Sequence, residues 1–366
     1  MVPVAILISL AISNVCSAKK EVASRDRNRL NVYTLASDPV CSSDMEYFNF
    51  SHSVAAAVYY VRSLMPMNSK TLFLAVLGHI WVPGCSMQEA SRVSALYDIL
   101  QTYSLPTVVT IRSPHPIPAV SVVVQRKAIL QGILGYLVNN GWKHIALFYD
   151  IHTNIFDIPE MLDATLSTPH IFRDRHNVLE LLTSVSIIST TNFTSLLEPL
   201  EDSLDVALIL ARAELALKFV VGVQNSTRIK QGRIALIHVD PADMFTYDIL
   251  RIWGAQLSQV GPLLAAGRSP ITVTALPKGT RYDEVLMPYK RISLSVANGA
   301  ALAMRLVQIH LLQEGGGNIA SSASLFQPLR RLPHIQVPTL PSITFHYQTE
   351  GGDISQGIFD LLLFSL

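Results

Sequence analysis

Residues 122–149 read VVVQRKAILQGILGYLVNNGWKHIALFY, and this stretch decides the fold class. From Val122 to Asn140 the residues are amphipathic and of helical length. Asn139-Asn140-Gly141 supplies the stop, because glycine ends a helix without steric cost. His144–Tyr149 then follows as a short apolar run with the character of a strand. Helix, stop and apolar strand form the repeating unit of a parallel sheet, whose strands are apolar because helices cover both faces.

The unit recurs in both directions. Strand candidates Leu30–Leu35, Thr71–Leu77 and Thr107–Ile111 precede it, and Val185–Ile188, Val206–Leu210, Ile234–Val239 and Ile271–Leu276 follow. Helical stretches lie between them at Phe48–Leu64, Ser86–Tyr103, Arg212–Val223, Thr246–Leu257 and Ser293–Gln313, the last closed by Gly315-Gly316-Gly317. Such alternation predicts parallel sheets joined by right-handed crossovers. Irregular segments interrupt it at 151–168, at Pro277–Pro288 and at Pro333–Pro341. Beyond them Ser342–Tyr347, the turn Glu350-Gly351-Gly352-Asp353 and Gly357–Phe364 read as a hairpin. Three irregular crossings are what two lobes sharing three connectors need. The expected fold is therefore α/β, a bilobal clamshell of two doubly wound parallel sheets joined by three hinge crossings, with a ligand in the cleft. Residues 30–150 with 293–332 form the first expected lobe, and 151–292 with 333–366 the second.

Composition agrees with this class. The 366 residues carry 28 Lys+Arg against 27 Asp+Glu, a formal charge of +1, which removes the electrostatic reason for a nucleic-acid or anionic-membrane partner. A hydrophobic share of 49% with only 15% charged residues excludes disorder for most of the chain. The longest uncharged apolar stretches after the N-terminus, Ala128–Trp142 and Ile292–Met304, fall short of the ~20 residues a spanning helix needs. Val2–Val15 followed by Cys16-Ser17-Ala18 and Lys19-Lys20 reads as a signal peptide over residues 1–18, the alternative being a buried first element. Export would leave Cys41 and Cys85 as an even pair, which suggests a disulfide; a metal site is the rival, without a supporting His/Cys spacing. Such a bridge would constrain the unfolded chain by about 4 kcal/mol. Sequons at Asn49, Asn192 and Asn225 permit glycosylation, although chance alone supplies roughly two in a chain of this length.

Catalytic signatures are absent: there is no G-x-G-x-x-G after a strand, no P-loop, no G-x-S-x-G elbow and no H-E-x-x-H. His144, His170 and His238 stand beside apolar residues, as structural histidines do. Glu198, Glu201, Asp202 and Asp205 flank Pro199, precede a strand and read as a solvated turn or short helix rather than a catalytic pair. Pro83-Gly84-Cys85-Ser86 opens a helix after a strand, so its backbone N–H groups either attract an anion or are simply capped by Ser86.

Taken in order, several blocks resemble the extracellular domain of natriuretic peptide receptors and receptor guanylate cyclases. These are Ser37-Asp38-Pro39-Val40-Cys41-Ser42-Ser43-Asp44, Phe73–Gly78 with Pro83-Gly84-Cys85, Gly141–Tyr149, Asp205–Leu210, Arg233–Asp240, Ala297–Leu302 and Glu350–Asp353. The resemblance spans about Leu30 to Phe359. It implies the type I periplasmic-binding-protein clamshell and a Cys41–Cys85 disulfide. It also implies a non-enzymatic ectodomain that binds a peptide hormone or small extracellular ligand as a homodimer on the outer face of the plasma membrane. In the natriuretic branch a chloride sits near the disulfide; its ligands here would be the Ser37 hydroxyl and the N–H groups of Gly84 and Cys85. No other cofactor is implied. The chain departs from the pattern in three ways. Leu30–Ser37 resembles the family's second strand, leaving the first βα unit missing, and Gly78–Gly84 carries an insertion. The membrane, kinase-like and cyclase regions are also missing. An amino-acid-type receptor ectodomain and a secreted small-ligand carrier with the same fold are the alternatives.

Overall fold

The chain builds its first sheet from β1 (Leu30–Tyr33), β2 (Leu72–Leu77), β3 (Thr107–Val109) and β4 (Val120–Ser121), all parallel and in sequence order. The structure, a computed structural model, describes residues 30–33, 50–64, 72–77, 107–109, 120–121, 126–150, 179–239, 247–260, 270–281, 283–284, 288–313, 332–350 and 353–365. Helix α1 (Phe50–Ser63) follows β1 and buries Val54, Ala57 and Val61, a stripe at helical spacing, while Tyr59 faces solvent. β4 was not expected, because two residues are too few to show any periodicity. The expected helix Ser86–Tyr103 lies outside the described residues.

The second sheet has the strand order β10-β11-β12-β9-β8-β7-β5-β6. Helix α2 (Arg126–Asn139) ends at Gly141, whose φ of +73° is the left-handed conformation that glycine alone adopts freely. β5 (His144–Asp150), β6 (Glu180–Ile187), β7 (Val206–Leu210), β8 (Ala235–Val239) and β9 (Ile271–Pro277) pair in parallel. Between them lie α3 (Phe193–Leu197), α4 (Ala213–Val223), α5 (Thr227–Lys230) and α6 (Ile249–Val260). All five residues of β7 are buried, as a strand covered on both faces requires.

Sheet membership corrects one expected boundary. The sequence reading groups residues 30–150 together, but β5 hydrogen-bonds between β6 and β7 in the second sheet. The full burial of Ile145 to Phe148 reflects cover on both faces of the strand and does not itself select its neighbours, which the pairing with β6 and β7 shows. The chain therefore first crosses between sheets before His144, not after Asp150.

After β9 the chain returns through α7 (Leu294–Gln313), which packs on α1, β2 and β3. It then passes to β10 (His334–Leu340), which packs on α1 and α7 while pairing with β11 (Ile343–Glu350). β12 (Asp353–Ser365) completes an antiparallel ribbon against β11 and β9, the hairpin that the sequence suggests. Three passages thus join the sheets: β4 to β5, β9 to α7, and α7 to β10. The Pro333–Pro341 stretch, read from sequence as a break, is largely this strand. Ile335, Val337 and Leu340 are buried, and Pro338 is tolerated because β10 is an edge strand with a register shift between Pro338 and Leu340.

A buried polar cluster ties the second passage down. The Asp248 carboxylate accepts from Ser293 Oγ at 2.7 Å, Leu294 N at 2.8 Å and Ser295 N at 3.4 Å, at the start of α7. Ser293 N donates to Ser53 Oγ of α1 at 2.9 Å. Arg251, on α6, pairs with Asp248 and donates to the carbonyls of Tyr289 and Ile292. Asp248 and Ser293 are fully buried and Arg251 nearly so.

Close packing of α3 on α4 gives a test of the second lobe. Phe193 stacks on Phe219 with centroids 5.1 Å apart, and a Cβ at Gly222 would meet Phe193 Cδ2 at 2.9 Å. Gly222→Ala is therefore expected to destabilise by about 1–3 kcal/mol in urea unfolding, although alanine is the better helix former. A stabilised variant would refute the close contact.

Candidate functional site

Three neighbouring strands end at one place: β5 at Asp150, β6 at Ile187 and β7 at Leu210. From β5 the chain moves to β6 on one side, and from β7 it moves to β8 on the other. Adjacent strands that send the chain in opposite directions leave a crevice at their carboxyl ends, where ligands of open α/β sheets bind. The structure has a cavity of about 140 Å³ there, lined by Asp150, Ile188, Ser189, Arg212, Glu214 and Lys218 among others.

Its electrostatics are directional. Arg212 Nε donates to Asp150 Oδ2 at 3.0 Å; the carboxylate is fully buried and the guanidinium 31% exposed. Pairing at Nε fixes the plane of the guanidinium and leaves the two Nη groups without a partner among the described residues. A fork presented end-on in this way matches a carboxylate bidentately. Arg212 is also the residue that caps α4 (φ −60°, ψ 150°), and its side chain has no acceptor with which to cap the first N–H groups of the helix. The helix start therefore adds partial positive charge beside the fork. Lys218 pairs with Glu214 at 2.9 Å along the same helix, both about half exposed, a contact worth only ~0.3–0.5 kcal/mol.

A buried layer beneath positions Arg212. His238 of β8 donates from Nε2 to the Ala211 carbonyl at 2.8 Å, and Trp253 Nε1 donates to His238 Nδ1 at 2.8 Å, which defines the neutral Nε2–H tautomer. Thr272 Oγ1 lies 3.1 Å from the same Nδ1. Burial lowers the His238 pKa to about 4, with the Ala211 carbonyl opposing the shift. The residue before Arg212 is thus held by a ring that stays uncharged at neutral pH.

The residues singled out from sequence fall elsewhere. Ser37, Cys41, Asn49, Gly84 and Cys85 lie outside the described residues, as do residues 1–18 and His170. Asn192 and Asn225 are not buried: Asn192 Oδ1 accepts from Ser195 N at 3.3 Å and caps α3, and Asn225 Oδ1 accepts from Lys230 Nζ at 3.2 Å. Neither lines the cavity. Asp205 accepts from Lys143 N and His144 N, each at 2.9 Å; burial would raise its pKa, but these donors hold it below the usual value. Asp202 pairs with Arg228, and Glu198 starts a 3-10 turn, so these acids are structural or solvated. No group of three His, Cys, Asp or Glu able to hold a metal occurs among the described residues. Among the same residues no helix is long and apolar enough to cross a membrane. Asp150 and Arg212 went unnoticed in sequence. The signal available was a charged residue at or just beyond each of two successive apolar strands.

No protein-family model and no curated protein matches the chain. Solved structures do match in fold. An ABC-transporter solute-binding protein of Rhodopseudomonas palustris HaA2, in complex with p-hydroxybenzoic acid, is 12% identical, with 92% of this chain and 97% of that one covered and a TM-score of 0.57. An extracellular ligand-binding receptor from Verminephrobacter eiseniae is 11% identical over 91% and 96%, with a TM-score of 0.58. An ABC-transporter substrate-binding protein from Desulfitobacterium hafniense, in complex with Leu, is 11% identical over 91% and 100%, with a TM-score of 0.55. The fold is accordingly the bilobal type I periplasmic-binding-protein clamshell.

Proposed function

We propose that this chain is a non-enzymatic extracellular ligand-binding protein that holds the anionic end of a small molecule at Arg212. The carrying observation is the Arg212 fork, oriented by buried Asp150 and presented into the crevice between β5 and β7. The bound molecules named for the solved neighbours, p-hydroxybenzoic acid and Leu, both bear a carboxylate, the group such a fork accepts. A cavity of about 140 Å³ takes only part of a ligand, since complete pockets run to ~300–1,000 Å³. The remainder would extend toward the first lobe, and binding would favour one arrangement of the lobes over another.

Calorimetric titration with benzoate, 4-hydroxybenzoate and leucine tests this. Arg212→Gln is expected to weaken binding about 100-fold, the loss of two charge-assisted hydrogen bonds, whereas Lys218→Gln should cost less than about threefold. Saturable binding that survives Arg212→Gln unchanged overturns the assignment.

A receptor reading of the same clamshell is supported by the ordered blocks from Ser37–Asp44 to Glu350–Asp353. It would make the chain a cell-surface sensor of a peptide hormone acting as a homodimer. The Cys41–Cys85 bridge, and a chloride at Ser37, Gly84 and Cys85, belong to that reading. Peptide-driven dimerisation in analytical ultracentrifugation would favour it; tight carboxylate binding by a monomer favours the carrier.

A further inference from the structure

Away from the crevice, the β10–β11 ribbon brings two imidazoles together. His334 opposes Gln348 and His346 opposes Gln336, so the histidines are diagonal neighbours on one face of the ribbon. That face is the outer one: His334, Gln336 and Gln348 are exposed and His346 is half-buried. The alternate residues Ile335, Val337, Phe345 and Tyr347 are buried in the core. His346 Nδ1 lies 3.4 Å from His334 Nε2, with ring centroids 5.3 Å apart and planes tilted by 33°.

A direct N–H···N contact at that separation is long and weak. The same separation fits a shared ion, because two nitrogens ~2.05 Å from one tetrahedral metal are about 3.3–3.4 Å apart.

We infer that His334 and His346 form a two-imidazole site for a late first-row divalent ion, with its remaining coordination positions open to water or to a ligand from outside. Imidazole pairs suit Cu(II), Ni(II) and Zn(II), with Cu(II) the tightest. Since β10 is where the chain arrives from α7 in its third passage, an ion here would fasten that strand to β11 and stiffen the passage.

Chelator-treated full chain titrated with Cu(II), and separately with Zn(II), tests the site by calorimetry and by Cu(II) electron paramagnetic resonance. The expected result is one saturable site per chain, tighter for Cu(II), with a spectrum of two coupled imidazole nitrogens. His334→Gln and His346→Gln should each weaken it at least about tenfold, while His52→Gln on α1 leaves it unchanged. Glutamine on this outer face preserves the ribbon, which far-UV circular dichroism checks. Absence of a saturable site in the parent chain, or a site indifferent to both substitutions, overturns the inference.

Discussion

Asp248→Ala is expected to lower the unfolding free energy by about 3–5 kcal/mol, the range found when one partner of a buried ion pair is removed. Two losses combine. Arg251, nearly fully buried, loses its carboxylate partner, and the N-terminus of α7 loses the acceptor for Ser293 Oγ, Leu294 N and Ser295 N. Neither group has water to turn to, and the Tyr289 and Ile292 carbonyls that Arg251 keeps carry no full charge, so part of the desolvation already incurred is left uncompensated. Urea denaturation reads the effect as a drop in midpoint at constant slope. Asp248→Asn keeps one acceptor and should fall between parent and alanine. A paired replacement by apolar residues of similar volume, Asp248→Leu with Arg251→Met, should recover much of the loss. A decrease below about 1 kcal/mol for Asp248→Ala would sink the account of this cluster as the anchor of the second passage.

Acidification is the second large effect. The His238 pKa stands at about 4 in the folded protein against 6.5 for a free imidazole, so the unfolded chain binds the extra proton first as pH falls. Stability attributable to this residue is complete above pH 6.5, declines between 6.5 and 4, and is constant below that. The total is about 3 kcal/mol, since each tenfold loss of proton affinity corresponds to ~1.4 kcal/mol. His346, lowered by burial with His334 and Lys278 contributing, adds in the same direction. Unfolding free energies of parent and His238→Gln at pH 7 and pH 4.5 isolate the buried ring. The parent should lose more than the variant, and equal losses would show that the ring is not buried neutral. Because His238 holds the carbonyl before Arg212, the same protonation is expected to loosen the crevice.

Periodicity was enough to find the parallel strands other than the two-residue β4. Val206–Leu210 emerges with its expected bounds, and α4, α6 and α7 lie within a few residues of theirs. What periodicity does not carry is partnership. His144–Tyr149 reads the same whichever sheet it joins, and its neighbours β6 and β7 emerge only from the pairing of the whole chain. Pro338 misled for a related reason, since a proline signals a break unless the strand is known to be at an edge. The crevice was hidden because Asp150 and Arg212 are 62 positions apart, and only the strand order makes them neighbours. His334 and His346, too, acquire meaning only through cross-strand register.

The edge strand β10 has a consequence for behaviour at high concentration. A chain that tried to extend the eight-stranded sheet by pairing onto β10 would find no backbone donor at Pro338 and a broken register immediately beyond it. Continuous intermolecular ladders, the seeds of fibrils, cannot propagate across such a gap. The same proline that obscures the strand in sequence thereby guards this margin of the sheet, though not the one at β6, against self-association.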